Sequence, residues 1–80
     1  MSTSTVKVEP VAVDVSFTAD ALRVVLVDGR EVSAPLAWFP RLLEATESQR
    51  AHWRFIGRGV GIHWPDVDED ISVESLLAVK

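Results

Sequence analysis

The sequence predicts an α+β domain of two layers, with a mainly antiparallel sheet of about five strands and two or three short helices in the order β-β-β-α-β-β-α. Three observations predict it. Val11, Val13, Val15 and Phe17 alternate with Ala12, Asp14 and Ser16, the period of a strand with one buried face. From Leu36 to Ala45 the apolar period becomes helical. The chain has 80 residues and a hydrophobic fraction of 48%, which supports one core and leaves no material for a second.

Residues 1–10 are rich in Ser and Thr and end in Glu9-Pro10, the composition of a flexible lead-in to a single domain over 11–80. The first strand runs to Phe17, and Thr18-Ala19-Asp20 turns the chain. Leu22 to Val27 is a second strand, dense in branched residues. Asp28-Gly29 is a hairpin signal for a type I′ turn, which needs positive φ at both central positions. Arg30 to Ala34 returns antiparallel, and Pro35 stops it. Pro40 fits a first helical turn, so the helix is expected to start a few residues earlier, with Phe39, Leu42 and Leu43 on one face. Thr46-Glu47-Ser48-Gln49 fits a capping box at the start of a further short helix through about His52.

Trp53, Phe55 and Ile56 open a fourth strand. Gly57-Arg58-Gly59 supplies a turn, and Val60 to Trp64 forms a fifth strand in which Ile62 and Trp64 face the core. Pro65 ends that strand, and Asp66, Asp68, Glu69 and Asp70 crowd the loop that follows. Ser72 reads as the N-cap of a last helix whose Val73, Leu76 and Leu77 face the sheet, with Glu74 in its first turn.

Composition narrows the chemistry. The absence of cysteine removes disulfides, thiol catalysis and thiolate metal sites, and fits a reducing cytoplasm. The N-terminus has neither the basic head nor the apolar run of a signal peptide, so a soluble cytoplasmic protein is expected. A net charge of −4 opposes broad nucleic-acid binding unless cations gather on one face. Arg41, Arg50, Arg54 and Arg58 dominate the middle of the chain, whereas Asp66 to Glu74 carries acids and no base. The expectation is a molecule with two electrically distinct sides.

No reactive constellation survives inspection. His63 near Asp66, Asp68 and Asp70 invites a metal or general-base reading, but a structural histidine bonded to a backbone group of the acidic loop accounts for it more simply. Asp66-x-Asp68-x-Asp70 opens like a calcium loop, yet Ile71 stands where glycine is needed and Leu77 where the bidentate glutamate is needed. Gly57-x-Gly59-x-Gly61 links two strands and precedes no helix, which removes the phosphate-loop reading. No serine sits in a nucleophile elbow. The three tryptophans, Trp38, Trp53 and Trp64, together with the central arginines, outline a stacking surface for single-stranded nucleic acid. Core packing is the competing use, since each ring buries about 150–250 Å².

Asp28-Gly29-Arg30, the run Trp38-Phe39-Pro40-Arg41-Leu42-Leu43-Glu44-Ala45-Thr46, and Gly61-Ile62-His63-Trp64-Pro65 leading into Asp68-Glu69-Asp70-Ile71-Ser72-Val73 together resemble the bacterial domain of unknown function family 2442. The resemblance spans roughly residues 11–79. It implies a small α+β protein that in some relatives is joined to a phage-repressor-like helix-turn-helix. The sequence ends at Lys80 without such a helix, so direct DNA binding is not expected of it alone. Stand-alone relatives resemble one half of toxin–antitoxin-type gene pairs, beside a small basic partner of unknown-function family 4160. The resemblance carries over no catalytic residue.

The reading is therefore a non-enzymatic protein-interaction module, the antitoxin-like or regulatory member of a two-protein bacterial system, with no cofactor and no metal. Its candidate partner-binding residues are Asp66, Asp68, Glu69, Arg41, Arg54, Arg58 and Trp38. The alternative is a nucleic-acid-associated transcriptional regulator working through the central Arg/Trp surface.

Overall fold

A computed structural model describes residues 10–77; the expected lead-in falls almost wholly outside the described residues, as do the last three. The chain is α+β, as expected, but the sheet is two sheets. Strands β1 (Ala12–Phe17), β2 (Ala21–Leu26) and β3 (Glu31–Pro35) form an antiparallel sheet in the order β1-β2-β3. Strands β4 (Arg54–Ile56), β5 (Gly61–Trp64) and β6 (Glu69–Ser72) form a second, in the order β4-β5-β6. Between them lie a 3₁₀ turn (Leu36–Trp38) and helices α1 (Pro40–Leu43) and α2 (Glu47–Ala51); α3 (Val73–Leu77) follows β6. One core draws on both sheets: Val15, Leu22, Val24 and Leu26 from the first, Ile62, Trp64 and Ile71 from the second, closed by Leu36, Leu42 and Val73.

The first strand departs from simple alternation. Ala12 pairs with Leu26 and Asp14 with Val25, so Val13 is an extra residue that the ladder skips. Such a bulge inverts the phase of the side chains. Ala12 and Val15 consequently face the core while Val13 is exposed, the reverse of the sequence expectation for residues 12 and 13.

The β2–β3 turn is also different from the expected type I′. Gly29 has φ +94°, but Asp28 is not in the left-handed region. The Gly29 N–H donates to the Leu26 carbonyl and the Leu26 N–H to the Arg30 carbonyl, both within 2.9 Å. This is a three-residue loop, a turn closed by a left-handed glycine. Asp28 holds it from outside: Oδ1 accepts the Arg30 N–H at 3.1 Å and Oδ2 accepts Arg30 Nε at 2.8 Å. The backbone bond from Arg30, more than the guanidinium, holds the Asp28 carboxyl below its ordinary pKa.

The helical expectation for 36–45 holds in two pieces. Phe39 leaves helical geometry, with φ −128° and ψ 81°, so Pro40 becomes the first residue of α1 instead of lying within an earlier helix. The residue before a proline is biased away from αR, which explains the break. A single turn buries only one position. Leu42 is inside, whereas Leu43 is exposed. The capping box forms as expected: Thr46 Oγ1 accepts the Gln49 N–H at 3.1 Å and Gln49 Oε1 accepts the Thr46 N–H at 3.0 Å.

In the second sheet Ile62 and Trp64 are fully buried, as the alternation requires. The Trp64 indole N–H donates to the Arg50 carbonyl at 3.0 Å, and its ring meets Phe17 edge-on at 6.2 Å. The strand missing from the sequence reading is β6. Glu69, Asp70 and Ile71 pair with Trp64, His63 and Ile62, and only Ile71 is buried. One inward apolar residue among acids leaves no visible alternation, so the segment reads as a loop. Ser72 is nevertheless the N-cap: its Oγ accepts the Ser75 N–H at 3.1 Å.

A close approach joins the sheets. The Ala12 N–H donates to the Gly59 carbonyl at 2.8 Å. Gly59 has φ +111°, and a Cβ there would stand 2.4 Å from the Ala12 carbonyl oxygen. Glycine is required on both counts.

Candidate functional site

The β5–β6 hairpin and α1 assemble the acidic turn. β5 ends at Trp64, the chain turns through Pro65 to Asp68, and Asp68 itself has φ 55°. Asp and Asn are among the few side chains that tolerate this region. Returning as β6, the chain sets Glu69 beside Trp64. Arg41, from α1, reaches across: Nη1 donates to the Asp68 carbonyl oxygen at 2.5 Å and lies 3.9 Å from Glu69 Oε1. Asp66 turns to the end of α2, where its Oδ2 is 3.0 Å from Nδ1 of His52, the residue that follows the helix. The acids and bases expected on separate sides are thus interleaved, because β6 folds back along β5 and the turn packs beside the helices.

Three of the candidate residues, Arg41, Asp68 and Glu69, are brought together, and Asp66 sits in the same turn. Trp38 lies in the 3₁₀ turn that leads into α1, and 67% of its surface is accessible. Arg54 is elsewhere. It pairs across β4–β5 with His63, which pairs in turn with Asp70, and the three share the outward face of the second sheet with Ile56 around a hollow of about 480 Å³. Arg58 occupies the β4–β5 turn, at the other end of β5 from the acidic turn.

His63 Nδ1 faces the Asp70 carboxylate, not the backbone acceptor that the sequence reading expects. The register explains the difference, since Asp70 belongs to a strand directly opposite His63. Among the described residues no group of three or more His, Cys, Asp or Glu is placed to hold a metal ion. No described helix is long and apolar enough to cross a membrane.

The proposed Arg/Trp surface is not contiguous. Trp64 is core, and Arg50 is turned inward. Its Nε donates to the Leu42 carbonyl at 2.8 Å, its Nη2 to the Leu43 carbonyl at 2.9 Å, and the guanidinium carbon lies 5.8 Å from the centre of the Phe17 ring. Arg50 therefore satisfies the last carbonyls of α1. Trp53 packs on Phe55 at 4.9 Å.

Two residues escaped the sequence reading. His52 as the partner of Asp66 has no local signal, because the pair is separated by a strand hairpin. Glu47 stands on the stripe Glu47, Arg50, Ala51 of α2, at the wall of a hollow of about 580 Å³ against β1; its i, i+3, i+4 spacing is visible in the sequence.

A family model described as protein of unknown function (DUF2442) matches residues 12–80. The crystal structure of a protein of unknown function from Rhodospirillum rubrum superposes with a TM-score of 0.73 at 27% identity, over 86% of each chain. No curated protein matches.

Proposed function

The chain belongs to the family of proteins of unknown function DUF2442, and from that premise we propose that it is a non-enzymatic protein-interaction module, the antitoxin-like or regulatory member of a bacterial two-protein system. The observation that carries this reading is the exposure of Trp38, 67% accessible in a protein whose remaining large rings are at least partly covered. An exposed indole costs solvation without stabilising the fold, and tryptophan is enriched at the centres of interfaces. Leu43 is also exposed, and α1 sits against the acidic turn through Arg41. The combination suits a partner with an apolar pocket and a basic rim, such as the small basic protein of unknown-function family 4160 that the resemblance implies.

The test is a binding titration of the wild-type chain, Trp38→Ala, and the triple variant Asp66→Asn, Asp68→Asn, Glu69→Gln against the product of the adjacent gene. Trp38→Ala is expected to melt like wild type and to bind at least about tenfold more weakly. The triple variant is expected to associate more slowly, with a flatter dependence on salt. Equal affinities and equal salt slopes for all three proteins would remove the reading. A steeply salt-dependent shift of single-stranded nucleic acid would instead favour the regulator.

A further inference from the structure

We propose that the outer edge of β1 is a second docking site, at which an extended segment of a partner protein adds as a strand between β1 and α2. The hollow of about 580 Å³ there is lined by every residue from Val15 to Ala19, and by Glu47, Arg50, Ala51 and Trp53. A sheet face would contribute alternate residues. Consecutive ones mean that the hollow lies along the strand edge.

The hydrogen-bond phase shows what that edge presents. The Thr18 N–H donates to the Ala21 carbonyl at 2.9 Å, so this pair is hydrogen-bonded. Alternation along an antiparallel ladder then makes Ser16–Arg23 and Asp14–Val25 bonded pairs, and Phe17–Leu22 and Val15–Val24 non-bonded ones. The β2–β3 ladder agrees independently, because its bonded Leu26–Arg30 contact puts Val24 and Leu22 in bonded pairs with β3. The N–H and C=O groups of Val15 and Phe17 therefore point away from β2 into the hollow, and among the described residues no strand pairs with them.

The surroundings restrict what can bind. Towards its start β1 is closed by Gly59, which takes the Ala12 N–H and leaves no room for a side chain. The open strand edge from residue 15 to 17 is about 10 Å long at strand rise, enough to pair roughly three residues of a longer segment. The bulge at Val13 and the overhang of α2 are devices that discourage pairing of whole sheet edges, yet a single narrow segment can enter. Phe17 and Trp53 offer aromatic surface to alternate side chains of that segment. Arg50 is already committed to the carbonyls of α1, whereas Glu47 has no hydrogen bond or ion pair to a described residue. Glu47 is thus the charged group of this wall left for an occupant to pair with. The occupant is an extended segment with apolar side chains for Phe17 and Trp53 and a cation for Glu47, held chiefly by main-chain hydrogen bonds, the mode of strand addition.

The probe is a capped pentapeptide, threonine-valine-lysine-valine-threonine, titrated into the full chain while backbone amide resonances are followed. The Val15 and Phe17 amides are expected to shift and to gain protection from hydrogen exchange. N-methylation of the peptide at the bonding positions is expected to weaken binding by at least about tenfold. Glu47→Gln is expected to weaken it roughly threefold at low salt and less at high salt. Ala51→Trp, at an exposed position, fills the groove and is expected to abolish it with an unchanged melt, and Trp38→Ala is expected to leave it unaltered. No shift at Val15 and Phe17 up to millimolar peptide, or shifts confined to β3 or β4, would overturn the proposal. So would protection of these amides in the peptide-free chain: independent of dilution it would mean that the chain fills its own groove, and lost on dilution, that a second copy does.

Discussion

Replacing Trp64 tests the packing that ties the second sheet to α2 and β1. Its side chain is fully buried, its indole N–H donates to the Arg50 carbonyl at 3.0 Å, and Phe17 packs against its ring at 6.2 Å. Trp64→Ala removes the ring and leaves a cavity, at a cost of about 3–5 kcal/mol. An 80-residue domain has only about 4–12 kcal/mol of total stability, so a large part of the folded population is at stake. At about 4–8 °C per kcal/mol for this size, the melt should fall by roughly 12 °C or more. Trp64→Phe separates the contributions. It keeps an aromatic body against Phe17 but deprives the Arg50 carbonyl of its donor, which costs about 1–3 kcal/mol where water cannot replace it. Urea and thermal unfolding followed by far-ultraviolet circular dichroism read both variants. A Trp64→Ala protein within about 1 kcal/mol of wild type would refute the buried placement. A Trp64→Phe protein as damaged as Trp64→Ala would show that the hydrogen bond, not the ring, dominates.

Gly59→Ala should destabilise by more than Gly29→Ala, although both residues have positive φ. At Gly29 the added methyl meets nothing, leaving about 1–2 kcal/mol of left-handed strain; at Gly59 it also strikes the Ala12 carbonyl, and paired denaturant melts that ranked the two equally would remove the close approach as an explanation. Asp28 has a depressed carboxyl pKa, so it contributes stability above its unfolded value of 3.8, lost as pH falls through the lower folded value. Asp28→Asn should therefore lessen the loss of stability with acid below about pH 4 without changing its slope near neutrality, and identical acid titrations of melting temperature would contradict this.

The legible parts of the fold were those specified over a few residues. The Thr46–Gln49 capping box and the Ser72 cap are local hydrogen-bonding patterns, and both form as written. Ile62 and Trp64 were recognisable because strict alternation leaves one face for them. Features that depend on a distant partner were not legible. The Val13 bulge exists only in the register of β1 against β2, and strand β6 exists only because β5 accepts it. The same limit held at the candidate site: the acids of the turn were identifiable by composition, whereas their bonding to Arg41 and His52 depends on where α1 and α2 pack.

That bonding changes what the acidic turn can do. As a solvated loop, Asp66 to Asp70 would repel itself and offer a partner only a field. In the folded chain Asp70 faces His63 across a strand pair, Asp66 faces His52, and Glu69 lies at 3.9 Å from Arg41. These contacts are substantially exposed on at least one side, and an exposed ion pair such as Arg41–Glu69 contributes only about 0–1 kcal/mol. They hold the turn in shape, but they are cheap to exchange. A cation on a partner can take the place of Arg41 at Glu69, because Arg41 keeps its hydrogen bond to the Asp68 carbonyl when that exchange occurs. The turn is thus ordered before binding and still able to offer its carboxylates. An ordered acidic turn loses less entropy on association than a loose one, which is the physical reason for proposing an interaction surface here and not on the charges alone.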